Sequence, residues 1–213
     1  MDGFRIRSIT KKDLPTLHKL IIDGWYEYQF DAGRISIFRN WKLQVRVFLV
    51  AMLSSSILFR ENCFMTFITF WLLENVFLFL AVIYSYRRSI KNYIPESMDE
   101  AHYITKPLGF WVGETHKEGQ WKIVGCIALY KMGGGVASCS AAVSLERMSV
   151  TSKVRGRGFG SKLLQYAISQ ASNMNFREII LDTSDVRVPS VKLYLKHGSK
   201  LYPRSPWPIH LDY

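Results

Sequence analysis

The chain has 213 residues, of which 48% are hydrophobic and 14% aromatic, and this composition excludes a disordered or low-complexity protein. Three cysteines, Cys63, Cys126 and Cys139, cannot close a disulfide framework, so we expect reduced thiols. No His/Cys cluster has zinc-ligand spacing, so we expect no metal centre. The formal net charge of +11 indicates an anionic partner: nucleic acid, an anionic membrane surface or a phosphate-rich ligand.

Strand and helix patterns alternate on both sides of a hydrophobic middle segment. Period-two alternation predicts a strand at 4–9, and apolar residues at helical spacing predict a helix at 13–28. Later in the chain, the patterns predict strands at 109–114, 122–132, 141–150 and 177–183. They also predict two helices, one that begins after the glycines near 158 and one at 189–197. This order predicts an α/β domain.

The middle segment, 43–86, contains two apolar stretches. Residues 63–86 carry a single charge, Glu74, and a helix of that length extends about 36 Å, enough to cross a hydrocarbon layer of about 30 Å. The first stretch crosses only if Arg46 and Arg60 snorkel from its two ends. An amphipathic helix pair packed on a soluble core is the alternative.

Charges around this segment predict its orientation. Its flanks are basic and the turn at 60–62 is neutral, so the positive-inside rule predicts that both flanks and the domain after them lie in the cytosol. The flanking cations suit anionic lipid head groups, and they are Lys42, Arg46, Arg87, Arg88 and Lys91. With no basic platform interleaved with aromatic residues, we expect no nucleic-acid partner.

A glycine-rich turn, RGRGFG at 155–160, stands between a predicted strand and a predicted helix. Backbone amides and the helix dipole make such a turn a phosphate site. It fails the Walker A pattern, since Ser161-Lys162 has the wrong order, and it fails the dinucleotide pattern because Ser161 replaces the last glycine. A disordered Arg/Gly tract that binds RNA is the alternative, and a single copy between ordered elements does not favour it.

The Arg-x-x-Gly-x-Gly order of Arg155, Gly158 and Gly160 resembles the acetyl-CoA loop of the GCN5-related N-acetyltransferase (GNAT) superfamily. MSVTSKVRGRGFGSKLL is similar to that family's fourth strand, loop and third helix, and KLYLKHG resembles its later Leu-Tyr-x-x-x-Gly-Phe signature. The resemblance covers about 104–202. It implies the GNAT acyl-CoA N-acyltransferase fold, with a mixed central sheet and flanking helices, and acetyl-CoA as co-substrate without a metal. The implied cofactor-binding residues are Met148, Ser149, Val150, Arg155, Gly156, Arg157, Gly158, Phe159, Gly160 and Ser161.

The whole chain resembles the narrower group of camello-like membrane N-acetyltransferases, because a hydrophobic hairpin is inserted after the first helix. Within that group, LERMSV resembles a segment of the N-acetylaspartate synthetases. The resemblance implies an endoplasmic-reticulum membrane and acetylation of amino groups. It divides the chain into an N-terminal strand and helix (1–42), a membrane hairpin (43–86) and the remainder of the acetyltransferase domain (87–213). Ser199 and Arg187 depart from the family, which has Phe and often Asn there, and the tail leaves little length for two last strands.

Acetyl transfer needs a proton donor for the departing thiolate and a base for the amine. The resemblance puts the thioester beside the strand that ends at Val150. Tyr194 is the candidate acid, with a core aromatic as the alternative. Glu146 is a candidate base because period-two alternation predicts that it shares a strand face with Met148 and Val150. Asp182, at the end of REIILDT, is the second candidate base, and either carboxylate could instead be a structural acceptor.

Alternation puts Arg147 on the face opposite Glu146, away from substrate. The sequence thus predicts a membrane-anchored N-acetyltransferase that acetylates the amino group of an amino acid or amino-acid conjugate, with membrane lipids as a further partner. Acetylation of protein lysines at the endoplasmic reticulum and a non-catalytic acyl-CoA-binding adaptor are the alternatives. The acceptor amine and the oligomeric state are left open.

Overall fold

The structure is a computed structural model that describes residues 3–39, 41–58, 63–93, 101–132, 141–184, 186–203 and 209–212. The chain forms two compact units. One consists of Met1–Trp25 with Pro95–Tyr213, and the other of Tyr26–Ile94. The second unit extends beyond the predicted hairpin of 43–86 at both ends.

A seven-stranded sheet with the order β1-β2-β3-β4-β5-β7-β6 organises the first unit. Its strands are β1 Phe4–Ser8, β2 Pro107–Lys117, β3 Gln120–Lys131, β4 Ala142–Val150, β5 Glu178–Thr183, β6 Lys200–Pro203 and β7 Ile209–Asp212. Neighbouring strands are antiparallel except β4 and β5, which are parallel. The tail, which the sequence indicates has little length for two last strands, forms β6 and β7 with four residues each, and these suffice for a short antiparallel pair.

Six α-helices are described, namely α1 Leu14–Tyr26, α2 Gln29–Arg39, α3 Trp41–Leu58, α4 Cys63–Tyr93, α5 Phe159–Asn173 and α6 Val188–Lys196. Helix α5 covers one face of the sheet, where Leu163 and Leu164 are fully buried against Ile127 and Leu145. We call this side the α5 face. Helix α1 lies on the other side, the α1 face, where Ser149 Oγ donates a hydrogen bond to the Leu20 carbonyl at 3.3 Å.

The edge strand β1 is held by a cluster of ion pairs. Arg7 binds Asp13 through Nη1 at 2.6 Å and Glu114 through Nη2 at 2.7 Å, and Arg5 Nε contacts Glu114 at 2.7 Å. The hydrogen bond from Arg7 lowers the pKa of Asp13 to about 2. Burial opposes ionisation of Glu114, but the hydrogen bonds from Arg7 and Arg5 outweigh it and hold its pKa below the ordinary value. The cluster ties β1 to β2 and to the start of α1.

In the second unit, α4 packs against both α2 and α3. A Cβ on Gly33 would lie 2.8 Å from Cε2 of Phe79, so a glycine is needed for α2 to approach α4 this closely. Arg87 Nε donates to Gln29 Oε1 at 2.6 Å. Among the described residues one helix, Met65–Asn92, is long and apolar enough to cross a membrane, with a mean hydropathy of 2.0 and 6% of its most apolar window buried.

The predicted strands and helices of the first unit are found with end shifts of a few residues. The turn at 60–62, Cys139 and the side chain of Cys63 lie outside what the structure describes. Cys126 is a free buried thiol, and burial raises its pKa to about 12. Such a thiol is unreactive at neutral pH.

Candidate functional site

Strands β4 and β5 are neighbours only at their beginnings. Their parallel pairing joins Ala142–Ser144 to Glu178–Ile180. Beyond that point β5 pairs with β7 instead, from Leu181 to Thr183. The second half of β4 therefore separates from β5, and the sheet splits at the carboxyl ends of its parallel strands, where ligands bind in open α/β sheets.

A β-bulge at Arg147 reverses the alternation of β4. Ala128 of β3 faces Glu146, whereas Cys126 faces Ser149, so two residues of β4 stand opposite the single residue Ile127. Arg147 has a φ of 56°, in the left-handed region. Such an extra residue shifts every later side chain to the other face.

The predicted shared face of Glu146, Met148 and Val150 is therefore wrong. Met148 and Val150 pack with the core on the α5 face. Glu146 is on the α1 face, where Ser144 Oγ donates to its Oε1 at 3.2 Å. Strict alternation misplaced these residues because the bulge inserts one residue between Glu146 and Met148.

Arg147 also lies on the α1 face, contrary to the prediction. Its guanidinium hydrogen-bonds the Tyr130 side chain, and its charge also acts on the Tyr103 hydroxyl. Burial raises the pKa of Tyr130 to about 12, while the nearby Arg147 lowers it and Glu146 raises it. Glu146 and Arg147 are thus consecutive residues that act on the same tyrosine.

On the α5 face, Tyr194 stands at the split. Its side chain is buried, and its hydroxyl donates to the Met148 sulfur at 3.4 Å. The predicted acid is thereby brought next to the predicted thioester strand, at the stretch of β4 that has left β5.

The end of α6 explains the spacing between Tyr194 and Gly198. The Ser199 amide donates to the Tyr194 carbonyl at 3.2 Å and the Gly198 amide donates to the Leu195 carbonyl at 3.1 Å. With a φ of 91° at Gly198, this is a Schellman ending, which favours glycine at that position. Ser199 is buried where the family has Phe.

Ser149 and Asp182, the remaining candidate residues on the two strands, lie on the α1 face. Ser149 is hydrogen-bonded to the Leu20 carbonyl of α1, and a Cβ on Gly24 would lie 2.6 Å from Ser149 Oγ. Asp182 alternates with the buried Leu181 and Thr183 along β5, and its side chain is exposed. Both candidate bases thus share a face, and Tyr194 is on the opposite one.

The glycine-rich turn is ordered and leads into α5. Gly156 and Gly158 have φ angles of 78° and 79°, which other residues adopt only with strain. Arg155 Nε donates to the Val150 carbonyl at 3.0 Å and fixes the turn to the end of β4. The disordered Arg/Gly alternative does not fit this geometry.

The first turn of α5 presents backbone amides. The Lys162 amide donates to the Gly158 carbonyl at 3.1 Å, so the amides of Phe159, Gly160 and Ser161 precede the first helical bond. The Phe159 ring stacks on Phe4 with centroids 4.6 Å apart. The cations around the turn are exposed, and they are Lys153, Arg155, Arg157 and Lys162. Amides and cations together suit a pyrophosphate.

An aromatic contact connects the two sides of the split. The Arg187 guanidinium lies 4.0 Å from the centroid of the Trp25 ring. Trp25 belongs to α1, which rests on β4, and Arg187 follows β5. The family's asparagine position is thus occupied by an arginine that stacks on α1.

Sequence reasoning missed Arg147, Tyr130 and Tyr103. Arg147 carried no signal of a bulge, since arginine is not a residue that favours positive φ. Tyr103 is fully buried, in a π-helical turn at Ala101–Thr105 with no apolar period to mark it. In the described part of the chain no group of three His, Cys, Asp or Glu could hold a metal ion.

Comparison with known proteins extends these findings. The sequence model of the acetyltransferase (GNAT) family matches residues 68–198, more than half of the chain. An uncharacterised N-acetyltransferase of Schizosaccharomyces pombe is 29% identical over 77 residues, 36% of this chain and 44% of that protein. The matched part thus spans less than half the length of this relative.

Solved structures share the fold. PaiA N-acetyltransferase of Thermoplasma acidophilum, solved in complex with coenzyme A, superposes with a TM-score of 0.53 at 13% identity, covering 99% of this chain and 98% of that one. A GNAT-family acetyltransferase of Staphylococcus aureus Mu50 superposes with a TM-score of 0.54 at 14% identity, covering 98% of each chain.

Proposed function

The chain belongs to the GNAT acetyltransferase family, and we propose that it transfers acetyl from acetyl-CoA to the amino group of a membrane-accessible small molecule that carries a carboxylate, such as an amino acid or amino-acid conjugate. One observation carries the proposal. The split between β4 and β5 has a buried phenol on one face and an arginine beside a carboxylate on the other.

The turn before α5 fits the cofactor. The amides of Phe159, Gly160 and Ser161 and the cations Arg155 and Arg157 would hold the pyrophosphate, since a helix N-terminus after a glycine turn favours phosphate. The coenzyme A complex of the similarly folded Thermoplasma protein supports this assignment. Acetyl-CoA supplies an activated acyl group whose transfer leaves a thiolate.

Tyr194 is the proton donor on the α5 face. Its hydroxyl already points at Met148, in the part of β4 that lines the split. A proton held there is available to a thiolate that leaves along the same strand.

The acceptor binds on the α1 face. Arg147 provides a permanent positive charge, and a guanidinium binds a carboxylate through two parallel hydrogen bonds. Glu146 follows the same face of β4 and removes a proton from the amine directly or through water. Asp182 is the second base candidate, because its exposed side chain lies on the same face as Glu146.

The membrane part of the proposal rests on the second unit. The large apolar side chains of α4 that face outwards include Leu72, Phe77 and Leu80, with Phe77 75% exposed. Water penalises such a surface and hydrocarbon does not. The family resemblance favours the endoplasmic reticulum, and the basic flanks favour a cytosolic acetyltransferase domain.

A coenzyme A release assay tests the chemistry. Amino acids are compared with their own carboxamides and with the decarboxylated amines, so that only the carboxylate differs. We expect turnover for the acids, and we expect Arg147→Lys to raise their KM by ~10-fold or more while leaving any carboxamide activity nearly unchanged. Equal turnover of acid and carboxamide would remove Arg147 from the acceptor site.

Labelled acetyl-CoA separates this function from the alternatives. Counts in small molecules support the proposal, whereas counts in protein lysines favour a protein acetyltransferase. Coenzyme A binding without turnover on any amine favours a non-catalytic adaptor. Carbonate extraction of the expressed full chain tests the anchor, and release into the supernatant contradicts it.

A further inference from the structure

A groove of about 490 Å³ runs between α3 and α4 on the surface of the helical unit. Its walls are mostly apolar and include Val50 and Phe77. Two charged residues also line it, Arg46 from α3 and Glu74 from α4. The groove plays no part in the acetyl transfer proposed above.

Arg46 and Glu74 both line the groove, but in the described part of the chain they do not form an ion pair with each other. Glu74 Oε2 is buried and has no hydrogen-bond partner among the described residues. Glu74 lies about 14 Å along α4 from Met65, where the apolar span begins. In the proposed membrane placement Glu74 lies at the depth of the hydrocarbon layer, where a charge without a partner is costly.

A two-fold symmetric dimer would give both Arg46 and Glu74 an oppositely charged partner. We propose that this groove is the interface with a second copy of the chain, in a two-fold dimer whose axis runs parallel to α3 and α4. Rotation by 180° about an axis in front of the groove brings α3 of one copy opposite α4 of the other. Arg46 and Glu74 both line the groove, so in this arrangement each meets the opposite charge of the other copy across the axis.

Membrane topology is compatible with this axis. Two copies inserted in the same direction can be related by a two-fold axis along the membrane normal, which keeps each residue at its depth. Lipid tails could cover the walls at Val50 and Phe77 equally well, but they offer nothing to a carboxylate or a guanidinium. The charge pair therefore selects a second copy over lipid as the occupant.

Charge reversal tests the interface in lipid nanodiscs or liposomes with the full chain, by energy transfer between separately labelled populations. The proposed dimer has two contacts across its axis, each between residue 46 of one copy and residue 74 of the other. In Arg46→Glu homodimers, and equally in Glu74→Arg homodimers, both contacts become like-charge pairs. We expect each variant to self-associate at least ~10-fold more weakly than the wild type. Arg88→Glu, an exposed reversal on α4 that does not line the groove, is the matched control and should leave association unchanged.

Mixing the two reversed chains gives the decisive result. A heterodimer of Arg46→Glu with Glu74→Arg has opposite charges at both contacts between residues 46 and 74, so association should recover towards the wild-type value. Failure of the mixture to recover, with recovery in a chain that carries both reversals, would assign the pair to contacts within one chain. A monomeric wild type at every protein-to-lipid ratio, or a co-purifying amphiphile in a monomer, also overturns the proposal. Carbonate extraction measures the membrane placement separately, so the two can fail independently.

Discussion

The Tyr194 hydroxyl and the Met148 sulfur, 3.4 Å apart, are in contact between α6 and the part of β4 that has separated from β5. A thioether is a weak acceptor, so this bond costs little to exchange for a stronger acceptor such as a thiolate.

The acid role of Tyr194 predicts the behaviour of Tyr194→Phe. The ring and its packing remain while the proton is lost, so kcat should fall ~10²-fold or more with acetyl-CoA affinity nearly unchanged. Steady-state kinetics with a direct measurement of acetyl-CoA binding would check it. Met148→Leu is the control, since it keeps a buried apolar side chain of similar volume and removes the sulfur acceptor, and it should keep most of the activity. A fully active Tyr194→Phe enzyme would mean that Tyr194 is a packing residue of the core and not the proton donor.

Gly158→Ala should weaken acetyl-CoA binding. At a φ of 79° a Cβ strains the turn by ~1–2 kcal/mol and adds bulk where the backbone approaches phosphate. We expect KM for acetyl-CoA to rise ~10-fold or more. Gly119→Ala is the comparison, because Gly119 has nearly the same φ, 75°, in the hairpin between β2 and β3. It should lower the melting temperature by a similar amount without changing KM, and equal KM values in both variants would remove the turn from the cofactor site.

Glu146 and Asp182 can be separated by the kinetics of their amide variants. If Glu146 is the base, Glu146→Gln should lower kcat ~10²-fold or more with acetyl-CoA affinity nearly unchanged. Asp182→Asn should keep most of the activity, because its side chain points outwards from β5. The reverse pattern would transfer the base role to Asp182.

The ion pairs around Arg7 predict how stability depends on pH. A carboxyl whose pKa is lowered by folding contributes stability above its unfolded pKa, near 4, and loses that contribution as the pH falls through its folded value. With the pKa of Asp13 at about 2 and that of Glu114 also lowered, stability should decline between about pH 5 and pH 2. Asp13→Asn should therefore lower the melting temperature at pH 7, corresponding to ~2 kcal/mol, and by much less near pH 2.

Glu118→Gln serves as the control for this experiment. Among the residues that the structure describes, Glu118 pairs with Lys117 at 3.7 Å and Lys122 at 3.6 Å, and such exposed pairs contribute little to stability. Its melting temperature should match the wild type at every pH. A melting-temperature difference for Asp13→Asn that does not shrink on acidification would mean that its effect is not electrostatic.

The sequence was sufficient for elements that depend on local patterns. The apolar spacing of Leu163 and Leu164 predicts α5, and the glycines at 156 and 158 predict a turn that requires positive φ. The same reasoning failed at Arg147, because a bulge depends on how β3 and β4 pair across the sheet and not on the residue itself. One inserted residue exchanged the faces of Met148 and Glu146 and brought Arg147 into the candidate site.

The long insertion between the first two strands has a consequence for synthesis of the chain. Phe4 of β1 pairs with Thr115 of β2, and the entire helical unit lies between them in the sequence. While the chain emerges from the ribosome, β1 and α1 therefore have no sheet to pack on until α4 and then β2 have been synthesised. Distant contacts of this kind form slowly because a long loop has to close first. The helical unit is therefore synthesised in full before β2 is available, so it can fold before the acetyltransferase sheet exists.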